Sequence, residues 1–252
     1  MIGETPVYVE QQGDTLRVSA GGEEMARRYF ALDHPLDDIC ASFPVDEPMN
    51  VARAACRGLR VIRQPLWECL ATFITSSMKQ VAHIRAMSHY LRRHYGRQVW
   101  QLGALELFTY PTPEKIASLT ALDLRAASLG WRAEKLLATA RLVASGQVDL
   151  EANRALDDAS ALAGLRALPG VGPKVANCVL LFAYERLRAF PIDVWIERVL
   201  REKYFARKRR VTARRLREFS ETYFGPFGGY AQQYLFHHAR QQKNETRRRT
   251  AQ

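Results

Sequence analysis

The sequence predicts a mostly α protein, formally α+β, with a small β-containing piece at its N-terminus. Apolar residues recur at three- and four-residue spacing through most of the 252 residues, and Gly or Pro punctuates most of the gaps. Only the opening stretch VYVEQQGDTLRVSA is rich in β-formers at short alternation. With 47% hydrophobic residues the chain can bury a full core, as one large domain or as two lobes.

Within that opening stretch, Val7 to Val9 and Leu16 to Ser19 flank polar residues and Gly13, which suits a hairpin. Helical periodicity then runs through EEMARRYFAL, NVARAAC, PLWECLATFITSS, QVAHIRAMSHYLRRHYG, PEKIASL and LDLRAASL. It continues through AEKLLATARLVAS, ASALAGLRAL, KVANCVLLFAY, VWIERVLREKYF, TARRLREFSETYFG and YAQQYLFHHARQ. Everything after the hairpin therefore reads as helix, with no fixed-period repeat and no low-complexity linker.

The net charge of +11 points to a polyanionic partner, nucleic acid first and an anionic membrane second. No apolar run reaches the roughly 18 to 20 residues that span a bilayer, and the N-terminus shows no basic stretch followed by an apolar one. A soluble, intracellular protein is expected. Cys40, Cys56, Cys69 and Cys178 are scattered without a C-x-x-C pair, so they offer no compact zinc or iron–sulfur site and read as buried thiols. Nine of the seventeen residues from Arg201 to Arg217 are Lys or Arg, against Glu202 alone. The tail RQQKNETRRRTAQ is basic as well, and reads as solvated and disordered.

The stretch ALPGVGPKVANCVLLFAYERLRAFPIDVW, residues 167 to 195, is the most informative. Pro169 ends one short helix, Pro173 suits the first turn of the next, and Gly170 and Gly172 permit the positive φ of a tight hairpin. Around Gly170, Val171 and Gly172 the backbone N–H groups can approach a phosphate at a helix N-terminus, so this is a helix–hairpin–helix DNA-binding pattern. Lys174 sits in that first turn, where the helix dipole disfavours a cation, so the lysine needs a negative ligand or a chemical task. Asp193, in PIDVW, suits the N-cap of the following helix. Lys174 and Cys178 are four apart, as are Gln232 and Phe236, so each pair shares one helix face.

The hairpin, Lys174 and an aspartate nineteen residues further on resemble the helix–hairpin–helix DNA glycosylase superfamily. RGLRVIRQPLWECLATFITSS, LGWRAEKLL and GGYAQQYLF are similar to its 8-oxoguanine glycosylase/lyase branch, from about Gly58 to Arg240, with a weaker match in EEMARRYFALDHPLDDI. The resemblance implies a two-lobed helical fold, with a small α/β piece over 1–56, a lobe over 57–182 carrying the hairpin, and a second lobe over 183–252 that also uses about 57–64. It implies Lys174 as nucleophile and Asp193 as its partner. Cys178 and Phe236 would sandwich an extruded purine, and Gln232 would hydrogen-bond its Watson–Crick edge. Damaged duplex DNA is the implied partner of a monomeric enzyme. No cofactor or iron–sulfur cluster is implied, although hairpin carbonyls hold a structural cation in some members.

Departures from the family pattern shape further expectations. Where the branch has an asparagine triplet and an arginine facing the opposite strand, this chain has Met78, Lys79, Gln80 and His83. Arg132, beside Trp131, is expected to keep a family contact to the opposite cytosine, and Met78 is a candidate apolar plug. Weak discrimination for cytosine opposite the lesion follows. Trp195 stands where the family has a histidine near phosphate and has no assigned role. The N-terminal piece is shorter than the family's and lacks the strands that contact the lesion's N7. A related glycosylase for another oxidised or mismatched base, or a non-catalytic hairpin module, remain the alternative readings.

Overall fold

A computed structural model describes residues 1–206 and 211–250. The basic run at 207–210 and the last two residues lie outside the described part. Antiparallel strands β1 (Val9–Gln12) and β2 (Thr15–Val18) form the expected hairpin, with Val9 opposite Val18. Helices α1 (Glu23–Tyr29), α2 (Leu36–Ala41), α3 (Glu47–Ala55), α4 (Leu66–Thr75) and α5 (Val81–Tyr95) follow. A second antiparallel hairpin then departs from the all-helical expectation, with β3 (Gln98–Leu102) paired to β4 (Leu105–Phe108). Its cause is local. Val99 and Trp100 favour a pleated surface, and Gly103 turns the chain at φ +58°.

Helices α6 (Pro113–Ala117), α7 (Ala121–Ala126), α8 (Arg132–Ala144), α9 (Asp158–Arg166) and α10 (Pro173–Phe182) continue the chain. After them come α11 (Val194–Val199), a π-helical turn at Leu200–Tyr204, α12 (Ala213–Tyr223) and α13 (Gly228–Thr250). Side-chain caps start many of them, because the first N–H groups of a helix have no internal partner. Asp46, Thr112, Asp157 and Thr212 each accept from a first-turn N–H, and Thr120 and Asp123 form a reciprocal capping box. Helix α13 runs on through the basic tail that the sequence suggested was disordered. Gln, Lys, Glu and Arg are good helix formers, and the tail continues an already packed helix instead of nucleating its own.

The apolar faces build two cores. One gathers Leu70, Ile74, Leu91, Leu124, Leu136 and Val179 from α4 to α10. The other gathers Ile39, Met49, Leu181, Ile196, Tyr230 and Tyr234. Residues from α2 and α3 thus share a core with α11 to α13. Helix α10 contributes to both cores, Val175 and Val179 to the first and Leu181 to the second, so it forms the seam between them. Polar contacts tie the seam at its far end. Arg63 pairs with Asp33 and Glu185, while His34 bridges Glu185 and Tyr230. Among the described residues, no helix is long and apolar enough to cross a membrane.

Candidate active site

The site is built around the N-terminus of α10. Extended Gly172 is its N-cap, Pro173 occupies the first turn, and no side chain caps the free N–H groups. Lys174 is half-buried there. Its ammonium lies 3.5 Å from Ser76 Oγ and 4.9 Å from the centre of the Phe73 ring, both contributed by the end of α4. One turn further along the same face, Cys178 is buried, and loss of solvent pushes its thiol up to about 11 even though the Lys174 charge opposes the shift.

Asp193 is the N-cap of α11, as its position before VWIERV predicts. Oδ1 accepts from both Trp195 N, at 3.0 Å, and Ile196 N, at 2.9 Å. Burial raises the Asp193 carboxyl above the ordinary carboxylate range, against the stabilising pull of the cap N–H groups, Lys174 and Arg240. Lys174 and Asp193 therefore act on one another electrostatically at the seam, although nineteen residues separate them in sequence.

Helix α13 carries the remaining candidate residues. Gln232 is 2% exposed, donating from Nε2 to the Pro191 carbonyl at 2.9 Å and accepting from Gln233 Nε2 at 2.6 Å. Phe236, one turn on, is half-buried, with the Arg240 guanidinium 5.4 Å from its ring centre. A cavity of about 460 Å³ opens beside Lys174, lined also by Pro173, Asn177, Ile192 and Leu216. Cys178, Gln232 and Phe236 do not line this cavity.

The hairpin at 170–172 corrects one expectation. Gly170 adopts φ +83°, but Gly172 has φ −86° with ψ 178°, extended backbone that any residue adopts. At Gly170 an added Cβ would stand 2.8 Å from Lys135 Cβ, whereas at Gly172 it would meet nothing within 4 Å. One glycine thus makes the turn, and the other leaves the helix N-terminus open. Val171 is buried between them and donates its N–H to the Leu168 carbonyl.

Between α4 and α5, Met78 is 93% exposed in the left-handed region at φ +56°. Gln80 and His83 are exposed beside it, and Lys79 is half-buried. Arg132 is buried nearby at the start of α8. It is 6% exposed, with Nε donating to the Ser77 carbonyl at 2.8 Å, Nη2 donating to the same oxygen, and Nη1 donating to the Leu129 carbonyl at 3.2 Å. Trp131, 55% exposed, stacks beneath that guanidinium at 4.7 Å. Trp195 carries Arg198 and Lys243 at 5.9 and 4.8 Å from its ring, an aromatic laced with cations at the edge of the site. Sequence reasoning gave no role to Phe73, Arg240 and Lys243, because each is defined only by a contact across the fold.

Comparison with known proteins identifies the family. Residues 7–70 match the family described as 8-oxoguanine DNA glycosylase, N-terminal domain. A probable N-glycosylase/DNA lyase of Methanothermobacter thermautotrophicus is 30% identical over 92% of this chain and 78% of its own length. The N-glycosylase/DNA lyase of Saccharomyces cerevisiae is 29% identical over 70% of this chain, which spans only half of that relative. The 8-oxoguanine glycosylase/lyase of Clostridium acetobutylicum, solved with double-stranded DNA carrying cytosine opposite 8-oxoguanine, superposes with a TM-score of 0.88 at 27% identity. That match covers 94% of this chain and 82% of the other. On the length and identity of these matches, the chain belongs to the helix–hairpin–helix DNA glycosylase superfamily, in its 8-oxoguanine glycosylase/lyase branch.

Proposed function

We propose that this protein excises 8-oxoguanine from duplex DNA and then cleaves the strand through a lysine Schiff base. The observation that carries the reading is the convergence of Lys174 and Asp193 at the seam, with Cys178 one turn along α10 from Lys174 and Gln232 and Phe236 one turn apart on α13. A base inside a duplex is out of reach, so the nucleotide must be extruded. Gly170, Val171 and Gly172, with the uncapped N-terminus of α10, would hold the phosphate backbone. Cys178, as a neutral polarisable thiol, and the Phe236 ring are suitable faces for the purine. Gln232 would read its edge after exchanging the Pro191 carbonyl for the base.

In the reaction, the neutral amine of Lys174 attacks C1′ of the sugar. The bond from C1′ to the base breaks, its electron pair leaves with the base, and the base takes up a proton. Asp193, as a carboxylate, stabilises the positive charge that develops on the sugar. Ring opening gives the Schiff base, loss of a proton from C2′ follows, and the 3′ phosphate leaves by β-elimination. These steps use this chain's own side chains and call for no iron–sulfur cluster or organic cofactor. The carbonyls of Leu168 and Pro169 accept one bond each, from Val171 N and Thr139 Oγ1, and each keeps a lone pair that fits a structural cation. The protein would work as a soluble monomer in the compartment that holds the genome.

Borohydride reduction tests the reading. Incubation with an 8-oxoguanine duplex and borohydride should yield a covalent protein–DNA adduct, and Lys174→Gln should yield none. Absence of an adduct with the unaltered chain, or its persistence in Lys174→Gln, overturns the assignment.

A further inference from the structure

We propose that Phe73 and Ser76, at the end of α4, are positioning residues that hold the amine of Lys174 with its lone pair turned away from α4, ready for the sugar. The proposal rests on the functional reading above, since it concerns the nucleophile named there. Lys174, Cys178 and Phe182 recur every fourth residue along α10 and form one stripe. Phe73 meets both ends of that stripe. The Lys174 ammonium lies 4.9 Å from the centre of its ring, and the Phe182 ring stacks on it at 5.7 Å with 16° between the planes. Stacking on Phe182 fixes the plane of the Phe73 ring. The lysine therefore meets a face of set orientation, whose π electrons attract N–H groups.

Ser76 adds a directed partner. Its hydroxyl donates to the Phe73 carbonyl at 2.8 Å, so its proton is engaged and its oxygen is left to accept. The 3.5 Å contact with Lys174 thus takes an N–H from the lysine. An ammonium carries three N–H groups and no lone pair, whereas the neutral amine that attacks C1′ carries two N–H groups and one lone pair. Ser76 and the Phe73 face are two acceptors, one for each N–H of that amine. With both engaged, the lone pair is left on the side away from α4. A rotation that turned it toward α4 would set it against the Ser76 oxygen or the ring face, both rich in electrons. The pair acts through Lys174 and needs no contact with the DNA.

The test uses a duplex with an abasic site, which removes base recognition from the measurement. Single-turnover rates of borohydride trapping at saturating protein are compared with the dissociation constant of the same duplex. Misplacing a reacting group by about 1 Å can cost about 10²-fold, so loss of one of two supports should cost about tenfold. Phe73→Leu keeps the apolar bulk without the ring face, and its trapping should fall by about that factor while binding stays within about twofold. Phe73→Tyr keeps the face and should trap almost as fast as the unaltered chain. Ser76→Ala should lose about as much as Phe73→Leu, and Ser76→Thr, which keeps the acceptor, should recover most of it. Combining Phe73→Leu with Ser76→Ala should cost well under the product of the two losses, since both act through one amine. Unchanged trapping in Phe73→Leu and Ser76→Ala, or losses confined to binding, overturns the proposal. If Phe73→Leu melts early, Ser76→Ala and Ser76→Thr decide by the same comparison of rate with binding.

A second measurement needs neither DNA nor catalysis. In isotope-labelled protein the ε-methylene proton resonance of Lys174, identified by its loss in Lys174→Gln, should lie upfield of the other lysines through the ring current of Phe73. It should return to the common position in Phe73→Leu and stay shifted in Phe73→Tyr. An unshifted resonance in the unaltered chain overturns the proposal. An unaltered chain that shows the shifted resonance but traps nothing would refute the lyase reading and leave the placement of the amine by Phe73 standing.

Discussion

Asp193 Oδ1 accepts the Ile196 backbone N–H at 2.9 Å, so the carboxylate placed beside Lys174 is also the cap of α11. The two tasks can be separated by substitution. Asp193→Asn keeps an oxygen for the cap and removes the charge, whereas Asp193→Ala removes both. Excision by Asp193→Asn should fall by about 10²–10³-fold, the usual cost of one preorganised electrostatic group, while duplex binding survives. Asp193→Ala should lose in addition about 1 kcal/mol of stability with its cap. Thermal melts beside single-turnover rates check both.

The raised Asp193 carboxyl fixes a sign for the pH dependence. The folded chain binds this proton more tightly than the unfolded chain does, so the group's stabilising contribution is complete below its unfolded value of about 3.9 and is lost as pH rises through the folded value. Ionisation therefore costs stability where the chemistry requires it. The acid limb of the excision rate should lie above the ordinary carboxylate range. Asp193→Asn should lack that limb and melt no lower than the unaltered chain at pH 7. A melt that drops in Asp193→Asn as far as in Asp193→Ala would show that the cap needs the charge.

Burial pushes the Cys178 thiol up to about 11, which keeps it neutral at physiological pH. A neutral, unreactive thiol is what a stacking surface requires. In the folded protein at pH 8, iodoacetamide should leave Cys178 unmodified over hours, and all four cysteines should react once the chain is unfolded. Peptide mass spectrometry reads the result, and rapid native labelling of Cys178 would contradict its role as an inert face.

What the sequence made legible was local. Lys174, its hairpin and the Asp193 cap lie within one stretch whose Gly, Pro and Asp residues dictate turns and helix starts by short-range chemistry. Lys174 with Cys178 and Gln232 with Phe236 came out as helix-face pairs, but that the two faces share one pocket was implied only by the family resemblance, since α10 and α13 are joined through tertiary packing. The β3–β4 hairpin was missed because leucines blur its alternation, and helical periodicity surrounds it. The Arg132 contact to Ser77 spans 55 residues and no spacing rule reports it. A sequence motif showed which residue was present there, and the fold showed that its guanidinium was already engaged.

The two hairpin glycines should behave differently. Gly170→Ala forces a Cβ into the left-handed region and within 2.8 Å of Lys135 Cβ, so it should destabilise the fold by about 2 kcal/mol or more. At Gly172 the backbone is extended and the space empty, so Gly172→Ala should leave the melt unchanged. Its added methyl instead stands at the open N-terminus of α10, where a phosphate would approach. Weaker DNA binding without loss of stability is expected. Equal binding by Gly172→Ala would place the phosphate elsewhere.

Discrimination at the opposite base should be weak, and the geometry now gives the reason. A bidentate side-chain contact to a base edge is worth about 1–3 kcal/mol of discrimination. Around the turn the chain offers the apolar Met78 and the exposed Gln80 and His83. Met78 can fill the vacated space, yet a thioether has no fork with which to tell cytosine from the other three bases. Single-turnover excision of 8-oxoguanine opposite cytosine, thymine, guanine and adenine should therefore agree within about tenfold, or 1.4 kcal/mol. A cytosine preference beyond about a hundredfold would require a polar group to reach the orphaned base. Gln80 and His83 are the exposed polar side chains at the start of α5 able to do so, and the double variant Gln80→Ala with His83→Ala would then have to abolish the preference.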